Sequence, residues 1–478
     1  MNKNVKIILL IVIIGLLIRF SFIWTGPIKI WDETIYSNLG NSLSQNPFDY
    51  SLRNQGWSDV IRANGDQVYD WPKIGFRAPL LPYTLALLYL IKLDHFINAV
   101  SLILGAISIF GVYLLAKRLY GQKTAIYSAI LFSLIPLHVL HSARILTDVP
   151  FTFFIIFAMF SFWKGFEEND KKNKLLFGLF LGLALLSRYT TLWFFPIFVI
   201  YLTIRNKSIK WIKDKYLWLS AAIFFLTISP LLIYSLIEYG NVAGAFIHGF
   251  KASTYWGGVQ SALFFFPKWV SIFSACGIIA LVGIIILIKN KDYLKKETYF
   301  LLIWLAYFLG MAMYMPHKEE RLILAITPPL AILAGYALNK INKRAVTILV
   351  VLIMFLHITI WGVILHNQNY NLSSECFLDG MNVLKEIPNG TIIADFTSVA
   401  FYYTKKETLS YPWPLSVESV RAKVRDRDIE SAYFLMTDRE LPIWIEEYKI
   451  LKEDADNSFE VIFSCQEDTI YTTIYKVQ

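Results

Sequence analysis

Cysteine and charge are both scarce in this chain of 478 residues. Its three cysteines are too few for a disulfide-rich scaffold or for a metal cluster built from cysteine. Charged residues make up 17% of the sequence, whereas about 25% is usual for a soluble protein. A set of ordinary soluble domains is therefore excluded, although the length alone would suggest roughly three of them.

Apolar residues are abundant instead, at 56% of the sequence, and they gather into long blocks separated by short loops rich in Lys and Arg. Blocks of this kind are typical of helices that cross a membrane. The blocks predicted to cross are 5–25, 96–116, 124–140, 149–163, 216–237, 269–288, 298–315, 322–338, 345–365 and, as a hairpin of two helices, 175–204. A further block, 79–91, is short and begins with Pro79.

The distribution of charge predicts which loops face the cytoplasm. Residues 366–478 contain 11 basic and 19 acidic residues, whereas residues 1–365 contain 34 basic and 17 acidic residues. All the basic loops can stay inside if 175–204 turns outside near Arg188 and 79–91 does not cross. This predicts eleven crossings, a cytoplasmic N-terminus and an acidic C-terminal domain outside the cytoplasm. The net positive charge of the sequence comes from the membrane part, so it gives no indication of nucleic-acid binding.

Two domains are predicted. Residues 1–365 form an α-helical membrane domain, whose external loop 26–95 is expected to carry helices at the membrane surface. Residues 366–478 form a small α/β domain, because β-branched and aromatic runs alternate with helical stretches. The expected strands and helices are 391–396, 432–436, 459–463 and 470–477, and 377–387 and 417–424. Cys376 and Cys465 lie in this domain and could form a disulfide if it is outside the cell.

Two adjacent carboxylates, Asp32 and Glu33, follow the first predicted crossing. They lie among aromatic side chains, and partial removal from water raises the pKa of a carboxyl group and can make it a base. A solvated turn is the alternative. A second acidic residue, Asp148, fits a helix N-cap with Pro150 in the first turn and is otherwise a candidate for the site. Arg144 is an outside cation next to the bilayer and needs an anionic partner.

Five charged or titratable residues lie together in the segment 315–321, between two apolar blocks. Lys318 and Arg321 are candidates to hold a phosphate, because Arg can bind two oxygens at once. Arg188 and Arg77 are candidates to join them, although Arg188 could also snorkel to the membrane surface. A carboxylate base beside such cations fits the displacement of a lipid-phosphate leaving group by a hydroxyl.

These segments resemble the C-type (GT-C) integral membrane glycosyltransferases, in particular the branch of protein O-mannosyltransferases and lipid A aminoarabinose transferases. The resemblance covers about residues 1–340. It rests on Trp31-Asp-Glu33, Arg144 with Thr147-Asp-Val-Pro150, the small-residue stretch 178–188, and His317-Lys-Glu-Glu-Arg321. It implies a polyprenyl- or dolichyl-phosphate sugar as donor, a hydroxyl acceptor on a protein, a lipid or a glycan, and inverting transfer outside the cytoplasm.

The resemblance also implies roles for individual residues. Asp32 becomes the catalytic carboxylate, with Glu33 beside it and Asp148 as the second acidic site. The candidates for the donor phosphate are Arg144, Arg188, Lys318 and Arg321. Further candidates for substrate binding are Tyr36, Arg77, His317, Tyr255 and Trp256; the last two lie in a loop, 239–267, that reads equally as a mobile cover or as an interfacial loop.

The acceptor and the cofactor stay open. The segment 76–82 lacks the Lys-Pro-Pro-Leu run expected of the aminoarabinose branch, and the charged segment is also similar to mannosyltransferases that build lipid-linked glycans. No clear cluster of metal ligands is visible, so dependence on a divalent cation is open. The main alternative function is a transporter or flippase of lipid-linked sugars, but inverted repeats typical of transporters are not visible. A non-catalytic receptor or assembly subunit is a further alternative.

Overall fold

The computed structural model describes residues 3–23, 31–52, 60–63, 67–70, 77–255, 260–372, 375–394, 397–412, 415–437, 445–467 and 470–477. It divides into two compact units. The first comprises residues 1–24, 76–81 and 95–363, and the second comprises residues 25–75, 82–94 and 364–478. The second unit thus combines the C-terminal domain with most of the loop after the first helix.

The helices and strands have the following bounds in chain order. The helices are α1 (Lys3–Ser21), α2 (Trp31–Gln45), α3 (Leu80–Leu90), α4 (Ala99–Tyr120), α5 (Gln122–Ser133), α6 (Pro136–Ser142), α7 (Asp148–Phe162), α8 (Lys171–Ser187), α9 (Phe194–Asn206), α10 (Lys215–Tyr239), α11 (Gly244–Tyr255), α12 (Trp269–Lys289), α13 (Lys296–Tyr314), α14 (Thr327–Ile341), α15 (Arg344–Leu372), α16 (Glu375–Glu386), α17 (Thr397–Thr404), α18 (Val417–Asp426) and α19 (Ile445–Ser458). The strands are β1 (Val60–Ala63), β2 (Gln67–Asp70), β3 (Thr391–Ala394), β4 (Thr408–Leu409), β5 (Ala432–Thr437), β6 (Glu460–Glu467) and β7 (Ile470–Val477).

The first unit is a bundle of apolar helices. Among the described residues, eight helical stretches are long and apolar enough to cross a membrane, and α5 with α6 makes a ninth stretch that bends by 60°. The bend lies at Pro136, which cannot donate a backbone hydrogen bond to the preceding turn. The segment of the predicted hairpin contains two helices, α8 and α9, of 17 and 13 residues, on either side of a break that begins at Arg188, and its turn outside the cytoplasm stays a prediction. The polytopic helical architecture is confirmed, and the number of eleven crossings stays a prediction.

Close packing fixes the interior of this bundle. The stretch 320–341, which ends in α14, is 89% buried, whereas α1 is 17% buried. α8 packs between α7 and α10. At Gly178 in α8 a side chain would overlap the backbone carbonyl of Ser220 in α10. Small residues let helices approach closely in a membrane, so this contact sets the position of α8 and of Arg188 at its end.

The C-terminal part of the second unit is a three-layer α/β domain. Its sheet has the order β4-β3-β5-β7-β6, with β4, β3 and β5 parallel and the remaining pairs antiparallel. Neighbouring residues of β3 face opposite layers, since Ile392 packs with α16 and α17 and Ile393 packs with α18 and α19. The four predicted strands and both predicted helices are confirmed. Cys376 of α16 and Cys465 of β6 form a disulfide, with their Cα atoms 5.4 Å apart.

The loop between the first two long helices is partly helical. α2 follows α1 along the chain, and β1 and β2 form an antiparallel pair. α3 has 11 residues, so it is about 16 Å long at 1.5 Å per residue. A membrane core of about 30 Å requires about 20 residues, and the short α3 therefore agrees with the prediction that 79–91 does not cross.

Candidate active site

An ion pair in the first unit joins Asp148 and Arg188, for which separate roles were predicted. Asp148 is the first residue of α7, and Thr147 occupies the N-cap position, so the N-cap interpretation of Asp148 is wrong. Its Oδ1 instead accepts a hydrogen bond from Nη1 of Arg188. Asp148 is 1% exposed, and its Oδ2 has no hydrogen-bond partner among the residues that the structure describes. The described residues thus satisfy only one oxygen of this buried carboxylate.

The end of α8 positions Arg188. The helix ends at Ser187, and the backbone of Arg188 is extended before a short 3-10 helix, Tyr189–Trp193. The Arg188 carbonyl accepts a hydrogen bond from the Thr191 hydroxyl at 2.8 Å. The Arg188 side chain is 20% exposed, so it lies at the edge of the bundle rather than snorkelling freely in solvent.

His141 of α6, which was not predicted as a site residue, lies in electrostatic range of several charged residues. Its Nδ1 lies 2.8 Å from the Leu137 carbonyl oxygen. A carbonyl only accepts, so Nδ1 carries the proton and Nε2 of the neutral ring is an acceptor. Asp148, Arg144 and Arg321 all lie within electrostatic range of this ring. Three predicted site residues are therefore in electrostatic range of His141, which directly follows the predicted crossing 124–140.

The charged segment after α13 is an ion-pair network. Glu319 accepts from Nε of Arg321 and lies 3.0 Å from Nε2 of His317. Glu320 pairs with Lys268 at 2.9 Å. The segment continues into a 3-10 helix, Glu320–Ile326, that packs against α7. Arg321 and Asp148, the first residue of α7, both lie within electrostatic range of His141.

Lys318 joins this segment to the chain before α12. The residue is 3% exposed. Its Nζ donates to the carbonyl oxygens of Gln260, at 3.0 Å, and of Met315, and its backbone N–H donates to Oε1 of Gln260. These residues line a cleft of about 450 Å³ at the end of α13. The Lys318 ammonium thus donates to two carbonyl oxygens in this structure. Its binding of the donor phosphate stays a prediction.

A buried cation, Arg19, stabilises the junction between α5 and α6. Arg19 of α1 is fully buried and donates to the carbonyls of Gly15 and Ser133 at 2.9 and 3.1 Å. Its Nη2 faces Nδ1 of His138 at 3.0 Å, and its Nε donates to the Ser142 hydroxyl at 3.3 Å. Ser133 ends α5, and Arg19 therefore satisfies a carbonyl that the bend leaves without a helical partner. A charge buried among apolar helices costs free energy and is often functional. Arg19 lies within the first apolar block of the sequence, so this signal is visible without the structure.

The predicted catalytic carboxylates belong to the second unit. Asp32 and Glu33 lie in the first turn of α2, where the positive end of the helix dipole stabilises negative charge. Glu33 is 1% exposed and Tyr36, one turn later, is 5% exposed, so the alternative of a solvated turn is wrong. Asp32 is half-buried and is the more accessible carboxylate of the pair.

Two comparisons with known proteins bear on this arrangement. The model of the dolichyl-phosphate-mannose-protein mannosyltransferase family matches residues 76–234. The structure of ArnT from Cupriavidus metallidurans in the apo state superposes with a TM-score of 0.74 at 13% identity, over 99% of this chain and 98% of that chain. The same protein bound to undecaprenyl phosphate gives a TM-score of 0.71 at 13% identity, over 98% and 97%.

A third match is the archaeal oligosaccharyltransferase AglB from Archaeoglobus fulgidus in complex with an inhibitory peptide and a dolichol-phosphate. It superposes with a TM-score of 0.56 at 13% identity, over 98% of this chain and 74% of that chain. No curated protein sequence gives a significant match. The chain has the GT-C fold. It resembles the protein mannosyltransferases over residues 76–234 and ArnT in its fold, and its apolar helices agree with a multi-pass membrane protein.

Three predicted residues remain, Arg77, Tyr255 and Trp256. The Arg77 carbonyl accepts a hydrogen bond from Tyr189 at 3.4 Å, which places the backbone of Arg77 beside the residue after Arg188. Tyr255 is the last residue of α11, and Trp256 lies outside the described residues. In the part of the chain that the structure describes, no group of three or more His, Cys, Asp or Glu residues could hold a metal ion.

Proposed function

We propose that this GT-C protein is an inverting glycosyltransferase that moves a monosaccharide from a polyprenyl- or dolichyl-phosphate donor to a hydroxyl acceptor outside the cytoplasm. The observation that carries the proposal is the set of cations around Asp148 and His141. Three cations, Arg144, Arg188 and Arg321, lie in this region with two carboxylates, Asp148 and Glu319, which leaves a net positive charge for an anionic ligand. The similar structures of ArnT and AglB contain bound undecaprenyl phosphate and dolichol-phosphate, respectively.

The chemistry follows from the residue types. The acceptor oxygen attacks the anomeric carbon from the face opposite the phosphate, so the configuration inverts. Its proton passes to Asp32, and the bonding electrons pass to the phosphate oxygen, which leaves as the lipid phosphate. The negative charge that develops there is stabilised by Arg144, Arg188 and Arg321. Asp148 fixes Arg188, and its unpaired oxygen can accept a hydrogen bond from a ligand hydroxyl.

We further propose that the C-terminal domain lies outside the cytoplasm. Its Cys376–Cys465 disulfide and the basic loops of the first unit support this placement, because disulfides persist in oxidising compartments and basic loops stay inside.

Cysteine labelling in intact cells tests the sidedness. Glu453 and Lys291 are both exposed, the first in α19 and the second in a basic loop that is predicted to be cytoplasmic. We expect a membrane-impermeant maleimide to label Glu453→Cys in intact cells and to label Lys291→Cys only after permeabilisation. The opposite pattern would invert the proposed topology.

Purified protein in lipid nanodiscs tests the activity. We expect transfer of radiolabelled sugar from at least one member of a panel of undecaprenyl- and dolichyl-phosphate monosaccharides, with one equivalent of lipid phosphate released per sugar. A panel of peptide, lipid and lipid-linked glycan acceptors identifies the acceptor class. If the protein instead moves the intact donor across liposomes and releases no lipid phosphate, it is a flippase, and the proposal is wrong.

A further inference from the structure

One face of α2 is polar and yet buried. Thr34, Asn38 and Ser42 recur every four residues and therefore line one side of the helix. They are 0%, 2% and 2% exposed. Burial of hydroxyl and amide groups costs free energy unless hydrogen bonds compensate it. A helix with such a face needs a polar partner, and in the second unit that partner is α17.

Ser398, in the first turn of α17, connects to two successive turns of α2. Nδ2 of Asn38 donates to the Ser398 carbonyl at 2.9 Å and reaches its hydroxyl at 3.3 Å. The Ser398 hydroxyl donates to the hydroxyl of Thr34 at 2.9 Å. Ser398 is itself 1% exposed. Contacts one turn apart on α2 restrain both the rotation of this helix and its movement along its axis.

The hydrogen bonds continue to the residue before the catalytic carboxylate. The Thr34 hydroxyl, which accepts from Ser398, donates to the Trp31 carbonyl at 2.8 Å. Trp31 is the first residue of α2, and Asp32 follows it. The relay Ser398–Thr34–Trp31 therefore ends at the peptide unit that sets the direction of the Asp32 side chain.

Tyr402 lies one turn after Ser398 on α17 and faces the other carboxylate. Burial first, and then the neighbouring phenols and the charges of Glu33 and Asp94, raise the pKa of Tyr402, so its hydroxyl stays protonated and can donate. One turn after Glu33, on the same side of α2, the hydroxyls of Ser37 and Tyr89 share a hydrogen bond of 2.6 Å. The first turns of α2 are thus held by hydroxyl groups from α3 and α17.

We infer that α17 of the C-terminal domain belongs to the active site, with Ser398 as a positioning residue that orients Asp32 through Thr34 and the Trp31 carbonyl. The inference rests on the proposed function, because it takes Asp32 as the base. Its consequence is that the C-terminal domain contributes to catalysis. A shift of about 1 Å in a reacting group can lower a rate by about 10²-fold, so a lost hydroxyl in this relay should reduce turnover strongly.

Isosteric substitutions in full-length protein test the relay. Thr34→Val removes the hydroxyl and keeps the shape, whereas Thr34→Ser keeps the hydroxyl. We expect Thr34→Val and Ser398→Ala to lower kcat on the order of 10²-fold with the donor KM within about two-fold of the wild-type value, and Thr34→Ser to retain most of kcat. Ser464→Ala, which removes a hydroxyl from β6 in the same domain, is the matched control and should keep wild-type kcat.

Hydrogen exchange of residues 31–45 gives a second readout that does not depend on activity. We expect exchange in the first turn of α2 to rise at least about ten-fold in Ser398→Ala and to stay unchanged in Ser464→Ala. Wild-type kcat in both Ser398→Ala and Thr34→Val, or a rise in donor KM alone, would overturn the inference. If the wild-type protein transfers no sugar from any donor, the proposed function fails, and unchanged exchange in Ser398→Ala then removes the positioning role as well.

Discussion

We expect Asp32→Asn to remove sugar transfer from a protein that still folds and still binds its donor. Asn has the shape of Asp but cannot take the proton that the acceptor hydroxyl loses, and general-base catalysis contributes about 10²–10⁴-fold. The half-buried side chain lies at the start of α2, where loss of the charge costs about 0.3–1 kcal/mol of helix stabilisation. Single-turnover rates with a saturating labelled donor, beside donor binding and thermal unfolding of the same sample, measure the effect.

Two further variants make this result specific. Glu33→Gln tests the buried neighbour, and we expect a smaller loss because Glu33 is enclosed and less accessible to an acceptor. Asp49→Asn removes a carboxylate of the same segment whose Oδ1 accepts from the Ser51 hydroxyl, and it should keep wild-type turnover. Wild-type turnover in Asp32→Asn would exclude Asp32 as the base, and loss of turnover in Glu33→Gln alone would transfer the role to Glu33.

Arg188→Met should destabilise the membrane unit and also slow the reaction. It leaves the Asp148 carboxylate buried without its cation, and loss of one partner of a buried pair costs about 3–5 kcal/mol. It also removes a charge from the proposed phosphate site, where one fixed donor is worth on the order of 10²–10³ in kcat. Thermal unfolding in detergent measures the first effect, and transfer kinetics measures the second.

The double variant Arg188→Met with Asp148→Asn separates the two effects. It removes the uncompensated charge, so we expect most of the thermal stability to return while transfer stays low. Arg118→Met is the control, because its pair with Glu168 is exposed at 3.4 Å and such surface pairs contribute about 0–1 kcal/mol. A melting temperature of Arg188→Met equal to that of Arg118→Met would show that the buried pair contributes nothing to stability.

Apolar periodicity and charge distribution predicted most of the fold. The long blocks of the first unit, the break at Arg188 and the strands of the C-terminal domain all depend on local patterns that a single sequence displays. α17 and the polar face of α2 were not predicted, because α17 has 8 residues and α2 contains few apolar ones. Neither helix carries a pattern that distinguishes it from a loop.

The candidate site was predicted as a set of residues but not as a set of contacts. Arg188 was assigned to a phosphate and Asp148 to a cap or a second acid, because each loop was interpreted separately. Their ion pair spans 40 residues of sequence and exists only because α7 and α8 pack side by side. His141 was missed for the same reason, since its significance depends on the charges of Arg144, Asp148 and Arg321, which lie in electrostatic range of its ring.

The disulfide of the second unit has a consequence for α2, which lies outside the C-terminal domain. Cys376 and Cys465 are 89 residues apart, and the covalent ring that they close contains α17. A cross-link over a loop of this length removes about 4–5 kcal/mol of chain entropy from the unfolded state. The helix that holds α2 therefore lies inside a redox-dependent ring. If the proposed relay operates, formation of the Cys376–Cys465 disulfide is coupled to sugar transfer. A reductant that breaks this disulfide then lowers the rate of transfer without contacting a catalytic residue.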